Sequence, residues 1–116
     1  MIAVIFEVWP NDKSEKDYFD LASELRPLLE RIEGFISIER FESLAKKGKY
    51  LSLSFWRDEG AIRAWRNMEQ HRNAQAEGRS RIFSGYRIRV ATVIRDYGMN
   101  ERTGAPRDSR DAHDQQ

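Results

Sequence analysis

Two strand-patterned runs, Phe35 to Glu42 and Tyr50 to Trp56, follow one another with only the polar turn Lys46-Lys47-Gly48-Lys49 between them. On each side of that hairpin lies a helical stretch, with a further strand beyond it. The order βαββαβ leaves few arrangements open. Short connections are satisfied by a four-stranded antiparallel sheet that carries both helices on one face, so the expected class is α+β.

The individual elements are read from period and punctuation. Ile2 to Trp9 is β-branched and aromatic, ends at Pro10, and splits into the sets Ile2/Val4/Phe6/Val8 and Ala3/Ile5/Glu7/Trp9. Ser14 with Asp17 resembles a capping box, and Tyr18, Leu21, Ala22, Leu25, Leu28, Leu29 and Ile32 then recur at helical spacing. Pro27 lacks a backbone N–H, which predicts a kink or restart near Arg26, and Gly34 is the expected stop. Asp58 is the predicted cap of a second helix running to about Glu77, with Ala61, Ala64, Trp65 and Met68 on one stripe and Gly78 as its end. Tyr86 to Arg95 is the predicted fourth strand.

With 116 residues the chain fits one domain, and an apolar content of 40% can form a packed interior. Residues 1–98 carry all of the patterned elements. The polar tail, 99–116, offers only Met99, Ala105 and Ala112 as apolar side chains and is expected to be loose unless a neighbour holds it. Twenty basic and nineteen acidic side chains give a net charge of +1, which argues against nucleic acid or an anionic membrane as partner. No Cys occurs, so disulfides and thiol catalysis are excluded, and two His make a structural zinc site improbable. The apolar start carries Glu7 and no basic leader, so it reads as a strand, and no window is long enough to span a bilayer. A cytoplasmic protein is expected.

The apolar sets Val4/Phe6/Val8, Ile36/Ile38, Leu51/Leu53/Phe55 and Ile88/Val90/Ile94 are assigned to the helix-covered face. The opposite face then holds Ala3, Ile5, Glu7 and Trp9, with Tyr50, Ser52, Ser54 and Trp56, and Arg87, Arg89, Ala91 and Val93. That is too apolar for a solvated surface, which predicts a homodimer with sheet packed on sheet. Glu7, Glu39, Arg87 and Arg89 are the candidates for ion pairs across the seam.

Glu33-Gly34-Phe35-Ile36-Ser37-Ile38-Glu39-Arg40-Phe41, Leu51-Ser52-Leu53-Ser54-Phe55-Trp56-Arg57-Asp58, and the segment from Ala64-Trp65-Arg66-Asn67 through His71-Arg72 and Gln75 resemble the antibiotic biosynthesis monooxygenase domain family. The resemblance covers roughly Met1 to Tyr97. It implies a ferredoxin-like protomer within a dimeric α+β barrel. It also implies one of three activities: oxidation of an aromatic or quinol-like molecule by molecular oxygen without a cofactor, haem binding and degradation, or no chemistry at all. In the haem-degrading branch an Asn on the first strand, a Trp early in the second helix and a His ten residues later carry the function. Trp65 matches the Trp, whereas Phe6 and Gln75 stand at the other two places, so haem depends on His71 as a displaced ligand.

Trp65 is read either as a core aromatic or as the wall of a pocket between helix and sheet where an aromatic substrate stacks. His71 is either a half-buried helix residue or the general base, since imidazole alone among the side chains of the domain titrates near neutrality unaided. Phe6, Phe55, Met68 and Gln75 complete the expected substrate pocket, and Arg66, Arg72 and Arg79 are read first as solvated helix and loop residues, with the alternative that one of them holds a substrate anion. Neither paired carboxylates for glycoside hydrolysis nor a phosphate-binding glycine loop is present. A cofactor-free monooxygenase is the first expectation, a haem-degrading enzyme the second, and a silent ligand-binding dimer the third.

Overall fold

The computed structural model describes residues 1–77 and 81–114. Its sheet comprises β1 (Ile2–Pro10), β2 (Phe35–Glu42), β3 (Tyr50–Trp56) and β4 (Phe83–Thr92) in the order β2-β3-β1-β4, every neighbouring pair antiparallel. The helices are α1 (Glu15–Leu29), α2 (Glu59–Arg66), α3 (Glu69–Glu77) and α4 (Arg107–His113). The expected βαββαβ order is present. Strand β4 begins and ends about three residues earlier than its apolar pattern suggests.

The second helix is not continuous. Asn67 ends α2, its N–H bonding the Arg63 and Trp65 carbonyls, and α3 starts two residues on. No Gly or Pro marks this break, but Asn is a weak helix former whose side chain takes other partners. Here its Oδ1 accepts from Arg72 at 2.7 Å. The expected end at Gly78 lies outside the described residues. Asp58 caps α2 as predicted, accepting from the Ala61 N–H at 2.9 Å. Ser14 occupies the cap position of α1 without making a side-chain bond, and α1 runs through Pro27 to end two residues later, with no restart. Pro27 forfeits the one bond its N–H would make to the Ser23 carbonyl, and the turn still closes beyond it, the Glu30 N–H donating to the Arg26 carbonyl at 3.1 Å.

Gly34 turns the chain from α1 into β2 at φ +93°, and a Cβ there would stand 2.8 Å from the Ala61 Cβ at the start of α2. Gly34→Ala is therefore expected to cost about 2–3 kcal/mol, combining a left-handed backbone with a core collision. Urea denaturation monitored by circular dichroism checks it.

Strand faces follow from the register. Val4, Phe6 and Val8 stand opposite Ser54, Ser52 and Tyr50, whereas Ala3, Ile5 and Glu7 stand opposite Phe55, Leu53 and Leu51. Residues directly across a ladder share a face, so β3 lies the other way up from the expected assignment. Tyr50, Ser52, Ser54 and Trp56 are buried beneath the helices, while Leu51, Leu53 and Phe55 belong to the open face. Ile36 also changes sides: a bulge between Phe35 and Ser37 leaves it half exposed, and Phe35 takes the inner place.

Two apolar clusters fill the helix-covered side. One gathers Val8, Tyr18, Tyr50 and Ile82, the other Leu29, Trp56, Ala61 and Trp65. The tail, expected to be loose, folds on arginines instead. Arg102 bonds Asp114 at 3.0 Å and Ser109 at 2.8 Å, Arg110 bonds the Ala105 and Thr103 carbonyls, and Ala105 is buried. Charged hydrogen bonds do there what apolar burial does elsewhere.

Candidate active site

Between the two clusters the helices stand clear of the sheet and leave a cavity of about 540 Å³, within the range of small-molecule pockets, roughly 300–1,000 Å³. Its floor explains the space. Rows across the sheet run Arg40–Ser52–Phe6–Ile88 and Ile38–Ser54–Val4–Val90, so the two smallest side chains occupy the centre. Ser54 Oγ accepts from Trp56 Nε1 at 2.9 Å, which ties the indole down and keeps the buried hydroxyl partnered. Helix α1 supplies Tyr18, Leu21 and Leu25 as one wall. Ile88 and Val90 line the cavity yet are about half exposed, so it opens along β4.

The wall opposite is built by the α2/α3 break. Trp65, buried near the end of α2, and His71, in the first turn of α3, stack with ring centroids 4.6 Å apart and planes 26° apart. Had the helix been continuous, residues six apart would sit on different faces. The turn at Asn67 and Met68 brings them together. Burial lowers the His71 pKa below its ordinary value; the nearby Arg66 and Trp65 carbonyls push the other way, and the Arg72 and Arg66 charges lower it further. Its Nδ1 is enclosed, and neither carbonyl closes a hydrogen bond to it. At neutral pH His71 is thus an uncharged, desolvated imidazole in contact with the cavity.

Of the residues expected to form the pocket, Phe6, Trp65, His71 and Gln75 line it. Met68 packs against Trp65's cluster without reaching the cavity. Phe55 is on the open face, opposite Ala3 and beside Ile36, and takes no part. Arg66 and Arg72 are exposed at the rim, Arg72 also bonding Gln75 at 3.4 Å, while Arg79 lies outside the described residues.

The lining residues that were not anticipated include Tyr18, Arg40, Ser52 and Ser54. Arg40 had a signal, because it shares the alternation of Ile38. Tyr18 opens the apolar stripe of α1 and is 5% exposed. Burial raises its pKa, and the facing Arg40 guanidinium pulls it partly back, so it stands as a neutral phenol.

An antiparallel sheet with helices on one side and a guest-sized cavity between them defines a ferredoxin-like α+β domain. The chain belongs to the antibiotic biosynthesis monooxygenase family, whose model matches residues 1–77. It is 43% identical over 101 residues to a jasmonate monooxygenase of Pyricularia oryzae, covering 87% of this chain and 47% of that protein, so it spans about half of that relative's length. It is 33% identical over 103 residues to the uncharacterized protein YqjZ of Bacillus subtilis, covering 87% and 86% of the two chains. Among solved structures, Rv0793 of Mycobacterium tuberculosis superposes with a TM-score of 0.75 at 16% identity, over 84% of this chain and 98% of that one. A protein of Deinococcus radiodurans does so with a TM-score of 0.76 at 12% identity, over 85% and 98%.

Proposed function

We propose that the chain is a monooxygenase that needs no bound cofactor and oxidises a small, largely apolar, aromatic or quinol-like molecule with molecular oxygen. The reading is carried by the uncharged, desolvated His71 stacked on Trp65 in the wall of a mostly apolar cavity. A neutral imidazole takes a proton from a phenol or from a methylene made acidic by its ring. The anion so formed gives an electron to oxygen, and exclusion of water protects the radical pair until carbon and oxygen join. For an activated methylene the sum is CH2 + O2 → C=O + H2O. All four electrons come from the substrate, so no reductant is required. The likeness to a jasmonate monooxygenase supports an oxygenase and adds jasmonate to the compounds worth trying.

The working unit we propose is a homodimer joined through the open faces of the two sheets. Leu51, Leu53, Phe55, Ile5, Ile36 and Phe41 give that face its apolar area. Glu7 is paired within the chain, with Arg89 at 3.3 Å and Lys49 at 3.8 Å. Glu39 and Arg87, exposed on the same face, have no such partner among the described residues and are the charges left for the seam. Among the described residues no helix is long and apolar enough to cross a membrane.

Purified protein offered phenols, quinols and jasmonate in an oxygen electrode is expected to consume oxygen with at least one of them, one mole per mole of product. Uptake with none would leave a silent binding dimer. A Soret shift on adding haem, abolished in His71→Ala, would instead favour haem chemistry.

A further inference from the structure

Three arginines line the cavity and the oxidation just described uses none of them: Arg66 and Arg72 are exposed at its rim, whereas Arg40 rises from the floor. Arg40 sits on β2 opposite Ser52, on the helix-covered face. Its Nε is buried without a hydrogen-bond partner, and no carboxylate pairs with its guanidinium among the described residues. Guanidinium has donors, no acceptor, and no means of shedding its proton. Holding its Nε out of water without a hydrogen-bond partner is therefore unfavourable. Two hydroxyls share its surroundings. Ser52 is its cross-strand neighbour, and Tyr18 reaches in from α1 with a buried hydroxyl that faces the Arg40 guanidinium without closing a well-formed hydrogen bond to it. Three elements thus bring one cation and two hydroxyls to a single place in the cavity, with no carboxylate beside them among the described residues.

We infer that Arg40, Ser52 and Tyr18 form a carboxylate subsite, and that the substrate class is a small carboxylic acid with an apolar body. The inference rests on the cavity being the substrate pocket. One guanidinium flanked by hydroxyls matches a single, planar, bidentate negative charge, whereas a phosphate monoester would leave its second charge uncompensated. With the carboxylate on Arg40, the apolar body lies along Phe6 and Leu25, in the same cavity that Trp65 and His71 wall.

Calorimetric titration with naphthalene-1-acetate and with its methyl ester tests this, since the two differ only in the group Arg40 would hold. The acid is expected to bind the wild-type protein at least about 10-fold more tightly, the scale of a hydrogen bond to a charged group. In Arg40→Met that preference should vanish while the ester binds as before, and Tyr18→Phe should fall between. Thermal melting without ligand accompanies the titrations. Arg40→Met should melt no lower than wild type, because it removes a charge that no carboxylate pairs with among the described residues. Equal affinity for acid and ester, a preference that survives Arg40→Met, a lower melting temperature for that variant, or no binding of either compound would each overturn the subsite. Acid preference without oxygen uptake would remove the oxidation and keep the subsite. Uptake with neutral quinols and no acid preference would do the reverse.

Discussion

Leu53→Asp is expected to halve the mass of the particle in solution. Leu53 is at the centre of the open face, on an inner strand, opposite Ile5 on one side and Glu39 on the other. If two sheets meet there, a carboxylate at this position is buried against the partner's apolar side chains and adds to the negative charge of Glu39. Burying an unpaired charge costs several kcal/mol, enough to shift a micromolar association by orders of magnitude. In the separated protomer the same carboxylate is solvated, so the helix-covered core is untouched. Sedimentation velocity should show a two-protomer particle for wild type and one protomer for the variant, with unchanged far-ultraviolet circular dichroism. A wild-type protein that sediments as one protomer at micromolar concentration would end the proposal of a dimer.

His71→Ala is expected to lower kcat for the oxidised substrate by about 10²–10⁴-fold, the usual contribution of a positioned base. The pH profile separates a base from a packing residue. Because burial depresses the His71 pKa, wild-type kcat/KM should be flat near neutrality and fall only in acid, with an apparent pKa below the ordinary 6.5. The variant should lose that limb. Stability shares the sign. The unfolded ring takes its proton near pH 6.5 and the folded ring only at lower pH, so stability is full above 6.5 and drops as pH falls through the folded value. In His71→Gln this part of the acid loss should disappear. An unchanged kcat and an unchanged acid limb would exclude His71 as the base.

The element order was legible because hairpin, caps and periods agreed with one another, and the family resemblance came from the same segments. The faces of β3 were not. Leu51, Leu53 and Phe55 looked like core and Ser52 and Ser54 like surface, yet the apolar set covers the open side and the serines line a cavity. Binary patterning equates polar with outside, which fails where a buried hydroxyl is partnered, as Ser54 is by Trp56, or borders a guest's space. Phe55 was lost from the pocket for the same reason. That His71 and Trp65 border one cavity agrees with their expected place, but their stacking was not legible, because it depends on a helix break at Asn67 that carries no Gly or Pro. Arg102 and Arg110 ordered a tail whose composition promised nothing, since hydrogen bonding to carbonyls leaves no apolar trace in the sequence.

Ser52 and Ser54 alternate on one inner strand, and each contributes only a hydroxymethyl group to the middle of the floor. The depth of the room above them therefore depends on side-chain size at two sites as well as on the helices that roof it. A larger side chain at either site would shorten or divide the chamber while leaving the backbone pairing of the strand in place. Diet and architecture are in this way free to evolve separately.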